Sequence, residues 1–274
     1  MPTPLEIDEA RARWRELAGE DAGLGPIAAF HEERLAQLGA RQAPDVAVDL
    51  DGPSAARAIR DGTPLLGAGG LSVDTGEVLE ELHRLAANLA ETAELDTPAQ
   101  RTARSLARAP LELGPLLQPL LSGDVRSLEH EAIRLQADPA AFTELCALAI
   151  QPALWEAAAR LATLADVDRW ERGYCPICGA WPVLAELVGS ERRRVLRCVR
   201  CGVAWSWLVL LCPYCGNDDH RTLGTLASAG GSAAEAGGER VDVCERCHGY
   251  VKAVSTFASH AAPRLIAEDV ATLH

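Results

Sequence analysis

Eight of the nine cysteines fall in residues 175 to 247 as four C-x-x-C pairs: Cys175/Cys178, Cys198/Cys201, Cys212/Cys215 and Cys244/Cys247. Two thiolates separated by two residues reach one ion from a tight turn, and two such pairs complete a tetrahedral four-sulfur shell. One pair alone would suit a dithiol redox motif as well; four pairs point to two metal sites. A closed four-sulfur shell leaves no position for water or substrate, which argues against hydrolytic metal chemistry. Iron in that shell has two accessible oxidation states and zinc has one, and the spacing fits both.

The pairs are grouped by an internal repeat. The first and third read C-P-x-C-G, while the second and fourth lack the proline. The economical grouping is sequential: Cys175/Cys178 with Cys198/Cys201, and Cys212/Cys215 with Cys244/Cys247. Spacing leaves an interleaved arrangement, with Cys175/Cys178 facing Cys212/Cys215, open. A glycine after the second cysteine suits a knuckle that needs an unusual dihedral and brings backbone N–H groups close to sulfur.

The elements that must position these sulfurs are short. Trp181, Val183, Leu184, Leu187 and Val188 suggest short strands that turn at Gly189-Ser190 and return through Val195-Leu196; Val203–Leu211 is a further strand candidate, with Trp205 and Trp207 on one face by period two. In the second unit, strands near Leu223–Leu226 and Arg240–Val243 flank an Ala/Gly-rich stretch, residues 227–238, expected to be a mobile loop. Ribbons this small bury little carbon, so bound ions must contribute to their folding.

Residues 1–170 read as helices divided by Gly/Pro turns. Leu5–Leu17, a segment opened by Pro26, one from Glu77, and those opened by Thr97-Pro98, Ser122-Gly123-Asp124 and Asp138-Pro139 each carry an apolar stripe. Pro110, Gly114, Pro115 and Pro119 punctuate the middle, and Pro152 is expected to kink or restart its helix. Residues 39–53 interrupt the helical pattern, and the loop from Asp61 to Gly70 reads as a solvent-exposed connection, with a docking edge as the alternative. Cys146 lies on an apolar stripe and reads as a core residue, and His31, His83 and His130 read as structural or exposed. The expected fold class is α+β: an all-helical domain over 1–170, then two small rubredoxin-like or zinc-ribbon-like metal modules over 171–210 and 211–274.

With 48% apolar residues the 274-residue chain has material for a real core. Residues 171–274 hold 11 Lys/Arg and 11 Asp/Glu, so the whole net charge of -13 belongs to residues 1–170. Thiolates around two divalent ions make the second part more acidic still, which disfavours a nonspecific grip on nucleic acid. A local basic run, Arg192, Arg193, Arg194, Arg197 and Arg200, keeps a nucleic-acid-binding zinc ribbon as a rival reading. No signal-type or membrane-length apolar run occurs, so a cytoplasmic protein without membrane insertion, with reduced thiols, is expected.

The cysteine-bearing residues resemble those of the formate dehydrogenase accessory protein family known as FdhE. The resemblance lies in Tyr174–Gly179 followed by Trp181-Pro182-Val183, the second pair followed by Trp205, Cys212–Gly216, and Cys244–Lys252 with its His248, Tyr250 and Lys252; the ending Ala267–Leu273 also matches. The resemblance implies a noncatalytic accessory factor that engages the formate dehydrogenase catalytic subunit around its maturation, with iron in a rubredoxin-like part. It also implies a final helix running farther than His274. His248, Tyr250 and Lys252 are candidate partner contacts. The runner-up reading is a rubredoxin-like electron-transfer or redox-sensing protein.

Overall fold

Thr3 begins the first helix with a reciprocal cap: its hydroxyl accepts from the Glu6 N–H at 3.3 Å while the Glu6 carboxylate accepts from the Thr3 N–H at 2.7 Å. The computed structural model describes residues 1–92, 97–107, 111–227 and 239–272. In chain order the elements are α1 (Pro4–Glu20), α2 (Gly25–Gly39), β1 (Val46–Asp49), α3 (Gly52–Asp61), α4 (Leu65–Ala68), β2 (Gly70–Val73), α5 (Thr75–Thr92), α6 (Pro98–Leu106), α7 (Gly114–Ser122), α8 (Val125–Arg134) and α9 (Pro139–Leu161). There follow β3 (Leu184–Val188), β4 (Arg193–Arg197), β5 (Ala204–Ser206), β6 (Leu223–Ala227), β7 (Glu239–Cys244), β8 (Tyr250–Thr256) and α10 (Leu265–Ala271). This is the α+β arrangement expected, helical first and strand-rich later. The Ala/Gly-rich stretch after Ala227, Pro110 and Leu273 lie outside the described residues.

The chain packs as two units, one of residues 1–49 and 70–157, the other of residues 50–69 and 158–274. In the first unit, Ile7, Ala10, Trp14 and Leu17 form the buried face of α1, and Trp14 stacks on His31 of α2 with ring centroids 4.4 Å apart. Burial, with Arg34 nearby, holds the His31 imidazole down to about 3, so the ring is neutral and packs as an aromatic. Residues 46–49, within the stretch that interrupts the helical pattern, pair antiparallel with residues 70–73 as a two-stranded ribbon. Val46 is buried by that pairing.

The helix does not restart at Pro152: α9 runs through it from Pro139 to Leu161. Proline lacks the N–H that would bond the carbonyl four residues back, at Leu148. The buried guanidinium of Arg34 fills that role, its Nη2 donating to the Leu148 carbonyl at 3.4 Å and to Gln151 Oε1 at 2.7 Å. A side chain from another helix thus supplies the donor that the proline lacks.

The second unit is built on a six-stranded sheet in the order β5-β4-β3-β8-β7-β6. The first three strands and the last three are antiparallel within themselves, and β3 pairs parallel to β8, from Leu184 opposite Lys252 to Val188 opposite Thr256. The second module therefore repeats the first side by side in the same orientation. Of the candidate strand Val203–Leu211, only Ala204–Ser206 pairs; Trp205 is buried, while Leu208, Val209 and Leu210 are exposed.

Charge inside this sheet is paired. Glu186 on β3, fully buried, accepts from Arg197 Nη1 on both oxygens at 2.8 and 2.7 Å, from the His260 N–H at 2.9 Å, and lies 3.0 Å from His260 Nδ1. Arg194, also buried, donates to the carbonyls of Leu208, Val209 and Leu211 and pairs with Asp242 at 3.2 Å. Two members of the arginine run are therefore internal fasteners rather than a basic surface.

Candidate metal centres

Each C-x-x-C pair forms the same turn. The N–H after the second cysteine donates to the carbonyl of the first: Gly179 to Cys175 at 3.0 Å, Gly202 to Cys198 at 2.8 Å, Gly216 to Cys212 at 3.0 Å and His248 to Cys244 at 2.8 Å. The first cysteine's N–H in turn bonds the carbonyl five residues on, at Ala180, Val203, Asn217 and Gly249. Closing such a turn takes a left-handed residue, and Gly179, Gly202, Gly216 and His248 all have φ between 58° and 77°. His248, singled out from sequence as a partner contact, thus occupies the place that glycine holds in the other three turns.

The turns converge in pairs. The sulfurs of Cys175, Cys178, Cys198 and Cys201 lie within 4.8 Å of one another, and so do those of Cys212, Cys215, Cys244 and Cys247. The sequential grouping is the one the structure brings together. The closest recorded separations are 3.5 Å for Cys175–Cys201 and Cys178–Cys198, 3.6 Å for Cys212–Cys247 and 3.8 Å for Cys215–Cys244. A regular tetrahedron of metal–sulfur bonds near 2.3 Å sets its sulfurs about 3.8 Å apart. All eight cysteines are free thiols, and the spacings exceed the roughly 2.05 Å of a disulfide. Both sites fit one ion each.

Hydrogen bonds to sulfur complete the fit. Cys175 Sγ accepts from the N–H groups of Ile177 and Cys178 at 3.4 and 3.5 Å, Cys247 Sγ from Gly249 at 3.4 Å, and Cys244 Sγ from Asn217 Nδ2 at 3.5 Å. Desolvation alone would raise the Cys244 thiol, but the N–H of Cys247 and the Asn217 amide outweigh it and hold it at about 6. Donors aimed at sulfur favour the thiolate, the form that ligates. Cys146, by contrast, is buried among apolar groups and is pushed up to about 12, an inert core thiol.

The two modules meet closely. A Cβ on Gly173 would stand 1.8 Å from the Pro213 carbonyl oxygen, so only glycine fits where the start of the first turn passes the third. Tyr214 of the third turn donates to the carbonyls of Pro182 at 2.6 Å and Tyr250 at 2.9 Å. Trp170, Tyr174, Trp181 and Tyr214 form a run of ring contacts 5.4 to 5.6 Å apart.

The other candidate contacts differ among themselves. His248 and Tyr250 are exposed, whereas Lys252 is buried, with Nζ 2.6 Å from Asp269 Oδ1 and donating to the Asp269 carbonyl at 2.8 Å. Lys252 therefore ties β8 to α10. Tyr250 instead borders a shallow cavity of about 100 Å³ with Val209, Leu210, Tyr214 and Arg194. The sequence signal missed here was the LVLL run before Cys212, whose apolarity suggested a buried strand.

An FdhE homolog from Aquifex aeolicus is 28% identical over 128 residues, which cover 45% of this chain and 42% of the relative. An FdhE homolog from Rhizobium meliloti is 30% identical over 126 residues, 42% of this chain and 38% of the relative. The matches thus span about two fifths of the length of each relative. The crystal structure of the FdhE protein from Pseudomonas aeruginosa superposes over all of this chain and 90% of that one, with a TM-score of 0.66 and 23% identity. The chain is thus similar in sequence to FdhE proteins over less than half its length and shares the fold of one of them over all of it. No family profile matches it. Its α+β fold is that of the Pseudomonas FdhE protein, and among the described residues no helix is long and apolar enough to cross a membrane.

Proposed function

We propose that this chain is a noncatalytic accessory factor for the assembly or maturation of active formate dehydrogenase and that it binds the catalytic subunit of that enzyme in the cytoplasm. What supports the reading is the likeness to FdhE proteins joined to two four-sulfur clusters on one sheet. In this reading residues 1–170 are the scaffold, residues 171–210 and 211–274 are the two metal ribbons, and the eight paired cysteines are the ligands. Each cluster holds one ion, iron by family likeness, with zinc equally suited to the sulfur tetrahedron. The ion supplies the cross-link that lets so small a ribbon fold, and iron would add a reversible one-electron change.

The chain's own residues supply the binding surface. His248, Tyr250 and Leu208–Leu210 are exposed, with Val209, Leu210 and Tyr250 around one cavity, and an apolar patch with a polar rim is the usual form of a protein contact. Purified catalytic subunit, immature and mature, is to be titrated with the metal-loaded chain and with Tyr250→Ala. Binding to at least one form, weakened tenfold or more by the substitution, is expected. No binding to either form would overturn the reading.

A further inference from the structure

The two clusters share ligands and turn geometry but differ in surroundings. In the first, Cys175, Cys178, Cys198 and Cys201 are all at most 7% exposed. Residues 64–66 lie over its first turn: Leu65 and Leu66 donate N–H bonds to the carbonyls of Pro176 and Ile177, both at 2.9 Å, and Leu65 is fully buried. In the second, Cys212 and Cys244 are buried while Cys215 and Cys247 reach solvent. Those two are the outer cysteines of their turns, and their sulfurs lie within 4.8 Å of each other. They form the less buried edge of the sulfur tetrahedron. The inner edge is held from behind, with Cys244 Sγ bonded by Asn217, whose amide also bonds Thr222 Oγ1 at 2.8 Å.

A closed four-sulfur shell exchanges its ion when an incoming soft donor bonds before a thiolate leaves, so the rate depends on whether a donor can approach an edge. We propose that Cys215 and Cys247 are an exchange edge, at which a thiol-bearing donor or acceptor loads and unloads the second cluster, while the first cluster keeps its ion as a fixed part of the fold. The inference rests on the reading that both clusters bind metal. In the step, the incoming thiol gives up its proton and bonds to the ion. The bond to Cys215 then breaks, and the released Cys215 thiolate takes up that proton. Repetition at Cys247 frees the outer edge. No electron is transferred, so no oxidant or reductant enters.

The test uses the full chain loaded with zinc and challenged with excess 2,3-dimercaptopropanesulfonate, with native mass spectrometry counting the zinc retained. The expected course is rapid loss of one zinc and slow loss of the other. Peptide mapping after brief N-ethylmaleimide treatment of the loaded protein should show Cys215 and Cys247 modified before the four cysteines of the first cluster. The double variant Cys215→Ser/Cys247→Ser should retain one zinc and lose the rapid phase. Two zincs leaving at one rate, or first-cluster cysteines modified as early as Cys215, would overturn the exchange edge while leaving two-site binding intact. A chain that takes up no zinc or iron at the outset would overturn the metal reading itself.

Discussion

Replacing Glu186 by alanine removes the acceptor for two Arg197 hydrogen bonds and for His260, and leaves the Arg197 guanidinium in a buried strand without its carboxylate. Breaking one side of a buried ion pair costs about 3–5 kcal/mol because the remaining charge stays desolvated. Glu186 has all of its exposure removed and Arg197 all but 3%, so the upper half of that range is expected, a large part of a usual total of about 5–15 kcal/mol. Urea unfolding of metal-loaded protein, followed by tryptophan fluorescence, reads the loss through the buried Trp205 of β5. The double variant Glu186→Ala/Arg197→Met removes both charges and should recover most of the loss. The sign with pH follows from the same contacts. Burial works to raise the Glu186 carboxyl, but His260 and Arg197 outweigh it and hold it below its ordinary value. Its contribution is therefore full above the unfolded carboxyl value of about 4.3 and fades as pH falls through the lower folded value. The stability gap between wild type and Glu186→Gln should hold constant above about pH 5 and narrow below it. A loss under about 1 kcal/mol for Glu186→Ala, or a double variant no more stable than that single one, would show that the desolvated Arg197 charge is not what the carboxylate compensates.

Three further outcomes follow from backbone geometry. His248→Gly should stabilise the fourth turn by about 0.5–1 kcal/mol, the left-handed penalty less the extra freedom of unfolded glycine, read as a higher Tm of the loaded protein; a lower Tm would mean that the imidazole makes a contact worth more than the strain. Gly173→Ala should separate the two modules, since its Cβ meets a carbonyl rather than a movable side chain, and limited proteolysis between Leu208 and Leu211 should become faster than in wild type. Arg34→Met should cost about 1–3 kcal/mol less in a Pro152→Ala background, where an N–H at position 152 can bond the Leu148 carbonyl; equal costs in the two backgrounds would separate Arg34 from the proline.

Local signals were the legible ones. Thr97 and Asp138 each stand before a proline and start helices where the caps indicate, and the hairpin turning at Gly189 pairs Leu184 with Arg197. The cysteine repeat carried the grouping of the sulfurs, because a turn of fixed geometry repeated four times leaves its spacing in the chain. Features that depend on distant residues were not legible. Pro152 reads as a breaker until Arg34 is seen beneath it, and Asp61–Gly70 reads as an exposed link until Leu65 is found buried on the first turn. Lys252 reads as a surface contact because its partner, Asp269, lies on another element. His248 stands in the chain where the other three turns have glycine, and its left-handed backbone shows that it takes the same conformation.

The proposed accessory role is tested in cells that lack their FdhE protein, by measuring formate dehydrogenase activity after this chain is supplied. Wild type is predicted to restore the activity, and Cys178→Ser and Cys244→Ser, one from each cluster, to fail at matched protein levels. Wild-type chain that accumulates, carries two ions and leaves the activity unrestored would contradict the claim.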